Sequence, residues 1–354
     1  MTLSAEGQRK RGLLGIALML VFLVLLLFTL ALVVASFPVG WYAVFSGNLS
    51  KQYTYNSLSN PYLWIGPLIT YLPFQIPVGS VFATLSVIYL GMFVLSIRQG
   101  SNPIRAMSKA LKEGEQPLFS SPFIVTLIAI AFLTFTASVM DVFISSTGVQ
   151  IGTITGDPLA LLAGFTSSPL VEELGFRVVL IGVVAMILCL GRSTKTALKA
   201  LWRPSAAIEG LAVGSGASLL IWVATGFSAV TFGACHVLCG STWDIGKFPE
   251  AAYGGLVLGY VYVKYGLHVA VLAHWGVDYL GSVFAFFGQA AYKIAWNTTS
   301  GEFLGQYLVD IDMLLLFGLA SFLLIMYVGI KRLLGAKKGP LVADMVTVEP
   351  VVLT

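Results

Sequence analysis

Eight long stretches of this chain carry almost no charge, and they constrain its fold more than any other feature of the sequence. They are Gly12 to Phe37, Ile76 to Ile97, Pro122 to Ile144, Pro169 to Leu190, Gly210 to about Val237, Ala251 to Val263, Leu267 to Phe287 and Met313 to Ile330. About 20 apolar residues in a helix cross a bilayer, and a helix satisfies its own backbone hydrogen bonds where no water does so. The sequence therefore predicts an all-α, polytopic integral membrane protein with about eight transmembrane helices, the sixth run being the shortest. Composition agrees, with 57% hydrophobic and 10% charged residues against about 25% charged in soluble chains. That balance excludes a soluble enzyme, a disordered chain and a disulfide-stapled secreted domain. A formal charge of +4 is too small to point to nucleic acid as a partner; the partner it implies is the lipid bilayer.

The first run follows Arg9, Lys10 and Arg11, the order of a signal peptide, but it exceeds the roughly 7 to 15 apolar residues of one and reads as a retained span. The stretch Pro61 to Pro77 is apolar too, yet Pro61, Pro67, Pro73 and Pro77 argue against a straight helix and for an interfacial or re-entrant piece. Cys189, Cys235 and Cys239 lie in or beside apolar runs and read as small core residues. Cys235 and Cys239 flank His236, but zinc ligands usually come in sets of four with wider spacing.

Eight spans put both ends of the chain on one side of the membrane. Sixteen Lys and Arg side chains, from Arg9 to Lys338, then fall on that side, three (Lys51, Lys247 and Lys293) on the other, and Arg177 inside a span. The positive-inside rule predicts both termini in the cytoplasm of a multi-pass cell-membrane protein. Asn48-Leu49-Ser50 and Asn297-Thr298-Thr299 have glycosylation-acceptor spacing and fall on the predicted outer face. The tail Lys337 to Thr354 reads as a loosely held extension.

Ionisable groups inside spans cost roughly 2.5 to 3.5 kcal/mol each on insertion scales, so each is a functional candidate. The fourth run contains Ser168-Pro169-Leu170-Val171-Glu172-Glu173-Leu174-Gly175-Phe176-Arg177. Ser168 as N-cap and Pro169 at the first helical position predict a helix start, which sets both carboxylates at the positive end of the helix dipole. Glu173 and Arg177, four apart, share a face, while Glu172 points away from that pair. His274 and Asp278 are also four apart, as are Phe232 and His236. His268, beside the Tyr265-Gly266 turn, reads as an interface residue without chemistry. Two carboxylates, two imidazoles and an Asp in a dry site suit water activation and peptide hydrolysis. They equally suit a proton relay in a transporter, or a zinc hydrolase using Glu172, His236 and His274, although no HExxH helix is present.

Taken in order, Glu172-Glu173-x-x-x-Arg177, Phe232-x-x-x-His236 and His274-x-x-x-Asp278 resemble the three motifs of the CAAX protease and bacteriocin-processing family, also called Abi. Gly254-Gly255, Gly259 and Tyr265-Gly266-Leu267 look like that family's glycine-rich hairpin before its last motif. The resemblance covers about Pro169 to Gly288. It implies a membrane-embedded, metal-independent glutamate-type endopeptidase without a cofactor, related to the enzyme that removes a C-terminal tripeptide from prenylated proteins. A peptide or lipidated protein is the implied substrate. In those terms Glu172 is the general base that activates water and His236 helps to hold that water. Glu173 and Arg177 are a supporting ion pair, Phe232 belongs to the second motif, and His274 with the residue at 278 stabilises the oxyanion. An immunity or other non-catalytic binding protein of the same family is the alternative. The chain departs from the pattern by ending its last motif in Asp278, where the family usually has Asn. It also has a longer Arg177-to-His236 stretch, the excess falling in the basic segment Arg192 to Arg203, read as a cytoplasmic amphipathic loop.

The implied organisation is three parts: spans and loops over residues 1–158, a catalytic helical core over 159–290, and a last span and tail over 291–354. Counting residues from the helix ends sets Glu172 and His236 toward the outer leaflet, whereas a prenyl-protein peptidase is expected to open to the cytoplasm.

Overall fold

The computed structural model of the chain describes residues 13–46, 57–58, 61–152, 158–208, 215–239, 242–292 and 302–336. The helices are α1 (Leu13–Phe45), α2 (Val78–Arg98), α3 (Pro103–Glu113), α4 (Pro122–Ser146), α5 (Pro158–Glu172), α6 (Val183–Leu188), α7 (Thr194–Trp202), α8 (Pro204–Ile208), α9 (Ser215–Leu238), α10 (Lys247–Tyr265), α11 (Leu267–Tyr292) and α12 (Glu302–Ala336). A π-helical segment, Glu173–Gly182, joins α5 to α6. The protein is an all-α polytopic membrane protein. Among the described residues six helices are long and apolar enough to cross a bilayer: α1, α2, α4, Gly216–Leu238 of α9, Leu267–Phe287 of α11 and Asp312–Leu334 of α12. The other two predicted runs fall on the α5–π–α6 rod, which carries Glu172, Glu173 and Arg177, and on the 19-residue α10. By length and apolarity the described residues thus hold six candidate spans of the eight expected.

Helix α11 runs through the middle of the bundle and is packed by α1, α2, α4, α5 and α10. Val269 to Ala273 are completely buried in it. Close approach of helices, rather than aversion to water, holds such a bundle together. Gly276 permits it here, since a Cβ there would stand 2.4 Å from Ile130. Tyr279 donates its hydroxyl to the Ser36 carbonyl at 3.1 Å, tying α11 to α1.

The proline-rich stretch is a β-hairpin. Strand β1 (Tyr62–Ile65) pairs antiparallel with β2 (Leu68–Tyr71), Ile65 opposite Leu68, through a turn in which Gly66 adopts φ +59°. Prolines remove the helix option, while aromatic and β-branched residues on either side of a Gly suit a tight hairpin. The hairpin lies on the π segment. The Gly66 amide donates to the Gly175 carbonyl at 3.2 Å, and a Cβ on Gly175 would fall 2.2 Å from Cβ of Trp64. Tyr62 and Ser168 share a hydroxyl hydrogen bond at 3.2 Å.

Ser168 and Pro169 do not start a helix. Helix α5 begins at Pro158 and contains Pro169, because Pro158 offers the same N-terminal fit eleven residues earlier. Upstream of Pro169, Thr166 and Ser167 turn their hydroxyls back onto the Leu162 and Ala163 carbonyls at 2.6 and 2.8 Å. Pro169 removes one ladder donor, and four residues later the ladder widens into the π segment. Glu172 and Glu173 therefore sit at mid-rod rather than in a first turn, and the dipole of a fresh helix start does not act on them.

The basic segment Arg192 to Arg203 is occupied by α7, capped by Ser193, which accepts from the Thr196 amide at 3.3 Å. His268 is fully buried and stacks on Trp202, ring centroids 5.5 Å apart and nearly parallel, so it is a packing residue rather than one at an interface. Arg9 to Arg11, both glycosylation triplets, Lys51, Lys293 and the tail from Lys337 lie outside the described residues.

Candidate active site

Three elements bring the candidate polar groups together. The π segment contributes Glu173 and Arg177, with Glu172 at its edge; α9 contributes Phe232 and His236; α11 contributes His274 and Asp278. His274 is at the centre. Its Nδ1 lies 2.9 Å from Glu173 Oε1, and its Nε2 lies 3.5 Å from Asp278 Oδ2 and 3.7 Å from Glu172 Oε2. A carboxylate only accepts, so Nδ1 donates to Glu173, and Nε2 is the nitrogen that faces Asp278 and Glu172. Helical spacing alone sets Glu172 apart from the Glu173–Arg177 pair, but both carboxylates reach His274. Sequence periodicity describes one helix, and this contact crosses between two.

Glu173 and Arg177 are both fully buried, with Oε2 and Nε 3.2 Å apart. The Arg177 Nη2 also donates to the Gly255 carbonyl at 3.4 Å, and the guanidinium carbon stands 4.3 Å over the Phe232 ring. That ring meets His236 edge-on at 4.5 Å and His274 at 5.8 Å between centroids. Phe232 thus spaces two imidazoles and a guanidinium around one aromatic ring, through attraction of a cation to its face and edge contacts. His236 Nδ1 lies 2.9 Å from the Phe232 carbonyl, to which only an N–H is of use, so in the neutral ring Nε2 is left as an acceptor.

The π segment frees backbone groups that other elements satisfy. Ser228 donates to the Phe176 carbonyl at 2.9 Å, and Gly66 supplies the donor for the Gly175 carbonyl. Trp64 of the hairpin packs on Phe176 at 5.3 Å. Glycines let α10 approach closely: a Cβ on Gly259 would lie 2.7 Å from Thr225, and Gly266, at φ +106°, turns the chain from α10 into α11.

A cavity of about 80 Å³ adjoins the cluster and is lined by His236, His274 and Asp278 together with Thr136, Lys247 and Glu250. The polar side chains on its otherwise apolar wall, and its size, suit a few water molecules. Lys247 and Glu250 form an ion pair at 2.7 Å, and neither was singled out by the sequence, where Lys247 counted only toward topology. Tyr62 and Trp64 were missed for a similar reason, since they lie in a different part of the chain and only the folded hairpin brings them near. Cys235 and Cys239 are unpaired thiols 4.0 Å from the Pro67 carbonyl. Among the described residues no three His, Cys, Asp or Glu side chains are grouped as a metal ion requires.

No curated protein and no solved structure is matched by the chain. Residues 154–280, which supply Glu172, Glu173, Arg177, Phe232, His236, His274 and Asp278, match the Rce1-like family model, described as type II CAAX prenyl endopeptidase Rce1-like, in keeping with the CAAX protease family that the motifs resemble.

Proposed function

We propose that this protein is a metal-independent glutamate-type endopeptidase that hydrolyses a peptide bond in or near the bilayer, with a prenylated protein C-terminus as its substrate class. The observation that carries the reading is the convergence of Glu172, Glu173 and Asp278 on one imidazole, His274, beside a cavity of water size, within a Rce1-like segment.

In this reading a water molecule lies between Glu172 and His236. Glu172 takes one of its protons as the oxygen attacks the scissile carbonyl carbon, and His236 accepts a hydrogen bond from the other through Nε2. The carbonyl oxygen becomes an oxyanion next to His274 Nε2. Three carboxylates against one arginine favour an imidazolium there, which supplies the N–H that the oxyanion needs. Asp278, as an ionised carboxylate, has no hydrogen to donate, so its role is to orient and charge His274. Collapse of the intermediate breaks the C–N bond, and Glu172 returns its proton to the departing amine. Glu173 and Arg177 hold His274 in place and take no proton.

The test is cleavage of a prenylated reporter peptide by the purified full chain in lipid nanodiscs, with products identified by mass. Wild type should release the C-terminal peptide and Glu172→Gln should not. Full activity in Glu172→Gln would overturn the mechanism.

A further inference from the structure

A second, larger cavity lies between α4, α10 and α12, and no step of the proposed reaction uses it. It holds about 340 Å³, within the roughly 300 to 1,000 Å³ of small-molecule sites. Its wall is almost wholly apolar, built on buried Ile128, Phe132, Val261 and Val328. Gly329 leaves part of it open, since a Cβ there would meet nothing within 4 Å.

Two cations stand at the end of this slot, Lys264 at the last turn of α10 and Arg332 on α12. The Lys264 ammonium lies 3.2 Å from the Tyr260 hydroxyl and 5.3 Å from the Tyr265 ring centroid. Arg332 donates to the neutral Gln116 side chain at 3.2 Å. Neither makes an ion pair among the described residues, whereas the adjacent Lys331 pairs with Glu115 at 3.2 Å. An apolar slot that ends in two cations with no carboxylate partner among the described residues complements a molecule with a hydrocarbon chain and an anionic head. Among the described residues no acidic side chain lines the slot to receive a choline or ethanolamine ammonium.

We infer that this groove is a binding site for an anionic phospholipid of the surrounding membrane, its acyl chain lying along Ile128, Phe132 and Val261 and its phosphate between Lys264 and Arg332. The groove borders the reaction cavity through one aromatic contact. Phe132 of the groove packs against Tyr253, which lines the cavity, with centroids 6.4 Å apart.

Native mass spectrometry of the detergent-purified full chain, mixed with equal amounts of phosphatidylglycerol and phosphatidylcholine, reads the site without depending on any activity. Wild type should retain phosphatidylglycerol over phosphatidylcholine by about tenfold, given the attraction that basic side chains exert on anionic lipid. The Lys264→Gln/Arg332→Gln pair should lose that preference, Lys264→Arg/Arg332→Lys should keep it, and Gly329→Leu should lower retention of both lipids. Melting curves check that each variant is folded, and the charge-conserving pair keeps the test decisive if the glutamine pair is not. Equal retention of the two lipids by wild type, or an unchanged preference in the glutamine pair, would overturn the proposal. So would displacement of phosphatidylglycerol by a prenylated peptide, which would give the groove to the substrate instead.

Discussion

Glu173 Oε1 and His274 Nδ1 meet at 2.9 Å although 101 residues separate them in sequence. The same Glu173 faces Arg177 through its other oxygen at 3.2 Å. One buried carboxylate therefore joins a guanidinium on its own helix to an imidazole on the central helix. It couples the stability of the rod to the orientation of the ring whose Nε2 lies 3.7 Å from Glu172.

Breaking that pair should be a folding defect before it is a catalytic one. Removing one member of a buried ion pair costs about 3 to 5 kcal/mol because the other charge is stranded, and Arg177 is fully buried. Arg177→Ala is expected to lower the melting temperature in detergent and the membrane yield. A wild-type-like melt for this variant would show that the pair is structurally dispensable.

Glu172 is expected to behave in the opposite way. Glu172→Gln keeps the shape and removes the base, so turnover should fall by about 10² to 10⁴-fold with the melting temperature unchanged. A destabilised Glu172→Gln beside an intact Arg177→Ala would mean that the two roles are exchanged.

Asp278 should act on kcat through His274. Its Oδ2 lies 3.5 Å from His274 Nε2, and Asp278→Asn keeps the size of the side chain while removing the charge that supports an imidazolium. Steady-state kinetics should show a lower kcat with KM nearly unchanged, the pattern of an interaction made only in the transition state. An unchanged kcat would instead assign Asp278 to packing.

Gly175 should be intolerant of a single added methyl group. A Cβ there would lie 2.2 Å from Trp64 Cβ and 2.8 Å from the Trp64 carbonyl oxygen, so Gly175→Ala must push the hairpin off the π segment, at about 1 to 3 kcal/mol for such overpacking. Hydrogen exchange at Gly66, whose amide donates to Gly175, is the direct readout and should become faster. Unchanged protection would mean that the hairpin is held elsewhere.

Chelation should leave activity intact. Treating active protein with a strong zinc chelator, followed by metal analysis, separates a glutamate-type peptidase from a zinc hydrolase that uses Glu172, His236 and His274. Loss of activity restored by added zinc would favour the second.

The sequence by itself determined the class of fold and picked out the polar groups of the proposed site. Long uncharged runs have one structural outcome in hydrocarbon, so Leu13–Phe45, Val78–Arg98 and Pro122–Ser146 were legible as helices, with ends displaced by some residues. Groups too costly to bury without a purpose stood out against that background, which made Glu172, Glu173, Arg177, His236, His274 and Asp278 visible one motif at a time. Tertiary structure decided how they meet. Periodicity relates residues on one helix and therefore found Glu173 with Arg177, but it set Glu172 aside and linked His274 only to Asp278. The contacts from His274 to Glu172 and Glu173 arise from the placing of α11 against a rod that widens after Pro169, and no local pattern encodes that. The hairpin escaped for the same reason. Its prolines exclude a helix locally, but a β-turn that seats Gly66 on Gly175 depends on a surface contributed by residues about a hundred positions away.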